Sequence, residues 1–155
     1  MSEALAFRRA TARDAEAVRD FTRRAYARWV PTLGYEPGPM TADHAVALDR
    51  HRIDLFTVGG AWAGLVETAP GDGHLLVENV ALDPAFQGQG LGRHLMAHAE
   101  TLARDANLGI LRLYTNALMA ANVRLYASLG YGVDHREDKP DGRRIIHMSK
   151  SLAGA

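Results

Sequence analysis

At 155 residues, with 47% apolar and 23% charged side chains, the chain has the composition of one soluble globular domain long enough to bury a core. Its 18 Lys and Arg balance 18 Asp and Glu, which argues against a nucleic-acid or polyanion binder. The absence of cysteine excludes disulfides, thiolate zinc sites and a cysteine nucleophile, and it agrees with a reducing cytoplasm. The N-terminal residues lack the apolar run of a signal peptide, and no stretch is apolar enough for a membrane span, so a cytoplasmic protein is expected.

In chain order, Leu5 to about Arg9 reads as a short strand, and Thr11 with Asp14 resembles a capping box. Val18, Phe21, Ala25 and Trp29 recur at three- and four-residue steps, which predicts an amphipathic helix from Asp14 to about Val30, ended by Pro31. "PTLGYEPGPM" follows as a loop stiffened by Pro and Gly, and Thr41 is placed to cap a second helix from Ala42 to about Arg50. Two strand-like runs around Gly59 and Gly60 predict a hairpin. "HLLVENVALD" and "GILRLYT" predict buried strands, the first apolar enough to be covered on both faces.

Between those strands a helix is expected from about Gly90 to Ala106. Leu91, Leu95, Ala99, Leu102 and Ala106 lie on one face, and Glu100 and Arg104 on the other. His94 and His98 share the polar face at a spacing that can bind metal, but with no third ligand in reach they read as two solvated histidines, and no metal is expected. A helix from Met119 to Leu129 ends at Gly130, and "YGVDHRE" and "RRIIHMSKSL" close the chain as strands around Asp141-Gly142. The order β-α-α-β-β-β-α-β-α-β-β predicts one α/β domain over residues 1–155, with a mixed sheet. An exposed final strand at "RRIIHM" would offer an edge for a homodimer.

The chemistry concentrates in "ENVALDPAFQGQGLGRHLM", where Gly88, Gly90 and Gly92 separate an apolar strand from a helix. Glycines at a helix N-terminus let backbone N–H groups approach a phosphate, and the helix dipole favours the anion. A dinucleotide fingerprint fails because Arg93 stands at its third glycine, and a P-loop fails for want of Gly-Lys followed by Ser or Thr. Arg93 opposes the dipole of its own helix, so it makes sense either beside a phosphate or as a solvated surface residue. Glu78 is a carboxylate within an apolar strand, costly unless paired or functional. It reads equally as a general base for a protonated amine or as part of a structural Glu78–Asn79 polar cluster.

Gln87-x-x-Gly90-x-Gly92, preceded by "VALDP" and followed by Arg93, resembles the acetyl-CoA loop of the GNAT superfamily of N-acyltransferases, and "NVRLYASLGY" resembles that superfamily's second motif. The resemblance implies a GNAT-like fold and acetyl-CoA as cosubstrate. The pyrophosphate would rest on Gln87, Gly88, Gln89, Gly90, Leu91, Gly92 and Arg93, and the pantetheine arm would pair with the backbone of Val80, Ala81 and Leu82. A backbone N–H of that strand would also face the thioester oxygen.

Tyr126 takes the place of the family's general acid, with an aromatic core residue as the alternative. Asn122, one helical turn earlier on the same face, would contact the CoA arm or orient Tyr126. Many members carry an asparagine seven residues before the tyrosine. This chain has Met119 there, which leaves Asn116 and Asn122 as the alternatives. Glu78 would act as base, directly or through water.

Tyr26, Trp29, Tyr35 and Asp43 would form the acceptor wall, with core packing the competing account of Tyr26 and Trp29. The implied activity is direct transfer of acetyl to a primary amine by a sequential mechanism, since the chain has no cysteine and no recognisable Ser-His motif. A small molecule is the first expectation for acceptor and a protein N-terminus or lysine the second. A non-catalytic CoA-binding module is the rival from another class, and such a copy should lack Tyr126. No nucleic-acid or membrane partner is expected.

Overall fold

A computed structural model describes residues 4–152. The strand-forming segments all enter one seven-stranded mixed sheet. They are β1 (Leu5–Arg9), β2 (Arg52–Val58), β3 (Ala61–Pro70), β4 (Leu75–Leu82), β5 (Ile110–Asn116), β6 (Gly132–Asp138) and β7 (Arg144–Ser151). Their order across the sheet is β1-β2-β3-β4-β5-β7-β6. Only β4 and β5 run parallel, joined by helix α5 (Gly92–Asp105) as the crossover.

Helices α5 and α6 (Ala120–Ser128) cover one face, where Leu95, Met96, Ala99, Ala103 and Tyr126 join Phe56, Val66, Val77, Leu111 and Met148 in the larger core. On the other face, Val18, Phe21 and Ala25 of α1 (Ala15–Tyr26) pack on Ile53, Leu55, Leu65 and Ala81. That cover stops short of the far strands. Arg112 and Tyr114 of β5 and every residue of β6 are exposed, so half of this face is left to build a site.

The helical segment after α1 departs from expectation. Pro31 does not end the helix. Proline is tolerated in a first helical turn because its missing N–H has no partner there anyway. The chain therefore runs through a 3₁₀ turn (Ala27–Trp29) into α2 (Val30–Leu33). It stops at Gly34, left-handed at φ 79°, whose N–H reaches Val30 O at 2.8 Å. Thr41 closes α3 (Gly38–Thr41) instead of capping the next helix. The cap of α4 (His44–Arg50) is Asp43, whose carboxylate accepts from the N–H groups of Ala45 and Val46 at 3.1 and 3.2 Å.

Three strand expectations also change. β5 is buried on one face only, and β4 alternates between buried and half-buried residues, because the helices above them are short of full cover. The final strand β7 lies between β5 and β6, so it is no edge and the homodimer expectation loses its basis. His98 is not solvated. Its ring stacks on Phe7 at 3.7 Å and its Nε2 lies 2.6 Å from the buried carboxylate of Asp54.

Candidate active site

A break in the sheet makes the site. β4 and β5 pair only at Leu75↔Leu111, Leu76↔Arg112 and Val77↔Leu113, and no residue of β4 beyond Val77 pairs with β5. The separation starts at a bulge in β4. Against β3 the register runs Glu67↔Asn79 and then Thr68↔Val77, which leaves Glu78 as the extra residue. Two cavities open along this gap, of about 720 Å³ and about 120 Å³. Tyr26, Val80, Asn122 and Tyr126 line both, so the cavities meet at these four residues.

The smaller cavity is bounded by Val80, Ala81 and Leu82 of β4, by Gln87, Gly88 and Gly92 of the glycine loop, and by Trp29. Gly88 and Gly90 have φ of 78° and 75°, and a Cβ on either would meet nothing within 4 Å. Backbone conformation alone demands glycine at these two positions. Gly92 serves packing, because a Cβ there would come within 3.0 Å of Leu125 Cδ2 on α6. The backbone N–H groups of residues 88–93 donate to no acceptor among the described residues. A run of free donors at the start of a 14-residue helix is suited to a phosphate group.

Gln87 acts as a strut. Its Nε2 donates to Leu82 O at 2.8 Å and to Ala25 O at 3.1 Å, and its Oε1 accepts from Arg28 at 3.3 Å, tying the loop to the ends of β4 and α1. Gln89 likewise donates to Ala85 O at 3.1 Å. Arg93 is exposed, and Gln89, Gly90, Leu91 and Arg93 lie outside the lining of both cavities.

Tyr126 is 8% exposed, and its hydroxyl makes no hydrogen bond among the described residues. Burial pushes that hydroxyl up to about 12. Tyr131 stands edge-on at 6.1 Å and holds the ring. The Asn122 amide makes only a weak 3.8 Å approach to the sulfur of Met119, so its polar atoms stay available at the junction. Asn116 is committed elsewhere, donating to the Tyr35 hydroxyl at 2.5 Å and accepting from Leu118 N at 2.9 Å. The Tyr26 hydroxyl donates to Asn79 Oδ1 at 2.6 Å and lies 3.1 Å from Val80 O, a second acceptor for the same proton. Burial first, then the neighbouring Tyr126 and Glu67, raises it far above the usual range.

The larger cavity is lined by both polar and apolar side chains and assembled from distant segments. Glu78 is half-buried at the bulge, where its carboxylate accepts from the Tyr114 hydroxyl at 2.9 Å. It does not sit in the apolar surroundings its strand suggested. The carboxylate with that character is Glu67 of β3, 7% exposed, whose Oε2 lies 2.6 Å from His51 Nδ1. "AWAGLVETAP" carried the same signal as "LLVENVAL", a lone carboxylate in an apolar strand, so Glu67 was open to the same argument.

Tyr35 lines this cavity, with the Arg143 guanidinium 4.1 Å over its ring. Trp29 falls on the glycine-loop side and not on this wall, and Asp43, occupied as a helix cap, lines neither cavity. Among the described residues no group of three or more metal-ligating side chains is assembled.

Residues 15–131 match the acetyltransferase (GNAT) family. A mycothiol acetyltransferase from Nocardiopsis dassonvillei is 42% identical over 71 residues, which is 46% of this chain and 21% of that protein. The chain spans less than half the length of the curated relatives it matches. The structure of the ribosomal-protein-S18-alanine N-acetyltransferase from Escherichia coli superposes with a TM-score of 0.78 at 25% identity, covering 98% of this chain and 96% of that one. The PaiA N-acetyltransferase of Thermoplasma acidophilum, in complex with coenzyme A, superposes with the same TM-score of 0.78 at 15% identity, over 96% and 99% of the two chains.

Proposed function

The chain belongs to the GNAT acetyltransferase family, and from that premise we propose that it transfers acetyl from acetyl-CoA directly to a primary amine, with a small molecule as first acceptor. The observation that carries this reading is the meeting of two cavities at Tyr126, along the opening between β4 and β5. One cavity offers backbone to an anionic cosubstrate, and the other offers carboxylates to a cationic acceptor. The named relatives span small-molecule and protein chemistry, a mycothiol acetyltransferase on one side and a ribosomal-protein-alanine N-acetyltransferase on the other. A small amine is favoured here because Tyr35, bonded to Asn116 and covered by Arg143, ties three distant segments together along the wall of the larger cavity.

On this reading the pyrophosphate takes the free N–H groups of residues 88–93, with Gln87 fixing the loop's shape from behind. The pantetheine lies along Val80–Leu82, whose edge towards β5 has no strand partner. Tyr126 acts on the sulfur. With its hydroxyl at about 12 it stays protonated near neutral pH and can give its proton to the departing thiolate. Asn122, sharing the same wall, orients the arm. Glu78 and Tyr114 hold the acceptor's ammonium by charge and hydrogen bonding.

Release of free CoA thiol, followed over a panel of small amines and peptides with free N-termini, tests the proposal. Turnover with at least one small amine is expected. CoA binding without turnover on any amine would favour a non-catalytic CoA-binding module.

A further inference from the structure

We propose that Glu67, held by His51, takes the proton of the acceptor ammonium, an assignment that rests on the function proposed above. An amine is protonated near neutral pH and must lose one proton before it can attack. The group that removes it must face the acceptor cavity with a free lone pair, close to Tyr126.

The other titratable groups on the cavity wall fit less well. Glu137 and Asp141 sit on the exposed β6–β7 hairpin and are already paired, Glu137 with Lys139 and His147, Asp141 with Arg143. His44 has one ring nitrogen on Pro39 O and the other buried without a partner. Glu78 is half-buried and engaged by Tyr114. Glu67 is the buried carboxylate of the set. It stands opposite Asn79 in the β3–β4 register, and Asn79 is bonded to Tyr26 at the junction with Tyr126. The charges and hydroxyls that face it are His51 at the end of α4, Tyr26 of α1, Tyr114 of β5 and Glu78 of β4.

The hydrogen bonding of Glu67 is lopsided. Oε2 is taken by His51 Nδ1 at 2.6 Å, and Oε1 has no partner among the described residues. A buried carboxylate satisfied on one oxygen only leaves the second ready for a donor. His51 is itself fixed, because its N–H caps α4 by bonding Ala47 O at 2.7 Å, while its ring stays 30% exposed. His51 is thus a positioning residue that aims the carboxylate.

The step balances without any further reagent. Oε1 takes one ammonium proton, and the nitrogen lone pair then forms the bond to the acetyl carbon. The carbon–sulfur bond breaks as the sulfur takes the Tyr126 proton. The surplus proton on the new amide nitrogen returns to Tyr126, and Glu67 releases its own to solvent when the product leaves.

The test measures kcat/KM against pH for wild type, Glu67→Gln, Glu78→Gln, His51→Asn and His51→Leu. The acceptor is the fastest of benzylamine, spermidine and an alanyl tripeptide, and CoA binding serves as the check that each variant is folded. Glu67→Gln should lose roughly 10²–10³-fold near neutral pH. The deficit should shrink about tenfold per pH unit as free amine replaces ammonium in solution. Glu78→Gln should show a loss that does not vary in this way. His51→Leu should reproduce part of the pH-dependent deficit, and His51→Asn, whose amide N–H can stand in for Nδ1–H, should largely restore it. A purely structural Glu67 would give the same deficit at every pH, and that result would overturn the assignment, as would Glu67→Gln and His51→Leu variants matching wild type throughout. If wild type binds CoA and acetylates none of the probes, the proposed function fails and this inference falls with it. If amines are acetylated and Glu67→Gln tracks wild type, only the inference falls.

Discussion

The two halves of the site are built by different means. The half formed by the glycine loop and the end of β4 is contiguous in sequence, Val80 to Arg93, and most of what it presents is backbone. The half above the open sheet face is made of side chains from β3, β4, β5, the helical segment and the β6–β7 hairpin, several of them, such as Glu78, Asn79 and Asn116, held by a partner far away in sequence. A backbone site survives substitution of its side chains provided the chain path is kept, so its requirement falls on a few glycines. A side-chain site depends on every strand's register, and can be changed one residue at a time. This difference suits an enzyme family in which one cosubstrate meets many acceptors.

Tyr126 belongs to both halves, and its loss should be the largest single effect. Tyr126→Phe keeps the ring and its packing on Tyr131 and removes only the hydroxyl. A fall of roughly 10²–10⁴ in kcat is expected, with little change in CoA affinity, measurable by steady-state kinetics and calorimetry. Because burial holds this hydroxyl at about 12, the wild-type rate should show no loss from tyrosine ionisation up to about pH 10, where an unperturbed tyrosine would already be half ionised.

Gly90→Val comes next and should strike one half alone. Valine at φ 75° costs roughly 1–2 kcal/mol in backbone strain, and removing that strain shifts the loop away from the path proposed to take the phosphate. CoA affinity should fall about tenfold or more by calorimetry, with the melting temperature little changed. An unchanged Kd in a folded Gly90→Val protein would break the division between the halves.

Asp54 lies outside both halves and serves as the control. Burial pushes its carboxyl up, but hydrogen bonds from His98 and Arg52 outweigh that and hold it below the usual carboxylate range. A depressed folded-state value means that the unfolded chain binds the proton more readily, so the stabilisation is present above about pH 4 and lost as pH falls through the folded value. Asp54→Asn should cost about 1–3 kcal/mol at neutral pH and flatten the acid limb of stability in denaturant titrations, with kcat per folded molecule unaltered. The smallest effect is expected from Tyr35→Phe, which loses the Asn116 hydrogen bond in the wall of the larger cavity. About 1 kcal/mol, or roughly fivefold, should appear in the acceptor KM and not in CoA affinity.

The same contrast governs how much the sequence revealed. Most elements and their order were legible because hydrophobic period and turn residues are local signals, as in the Gly59-Gly60 hairpin and the helix closed by Gly130. The glycine-loop half of the candidate site, proposed to take the cosubstrate, is a local pattern of the same kind. Strand order is a non-local property, and nothing near "RRIIHM" records that β7 enters between β5 and β6. Helix limits moved where a stronger local device won, with Asp43 capping in place of Thr41 and Gly34 stopping the chain after Pro31 had let it pass. His98 looked solvated because its cover, Phe7, comes from the other end of the chain. Glu67 was passed over although it is a lone carboxylate in an apolar strand, and its pairing with His51 depends on how α4 meets β2 and β3, which the sequence pattern does not show.

The central claim is that the opening between β4 and β5, with the glycine loop at its end, is an acetyl-CoA site. Thermal unfolding with and without nucleotide cosubstrates tests it most directly, since it needs no acceptor. Acetyl-CoA at about a hundredfold excess over its Kd should add about 2.7 kcal/mol and raise the melting temperature accordingly, while NAD at the same concentration should leave it unmoved. A protein stabilised by NAD and indifferent to acetyl-CoA would contradict the account.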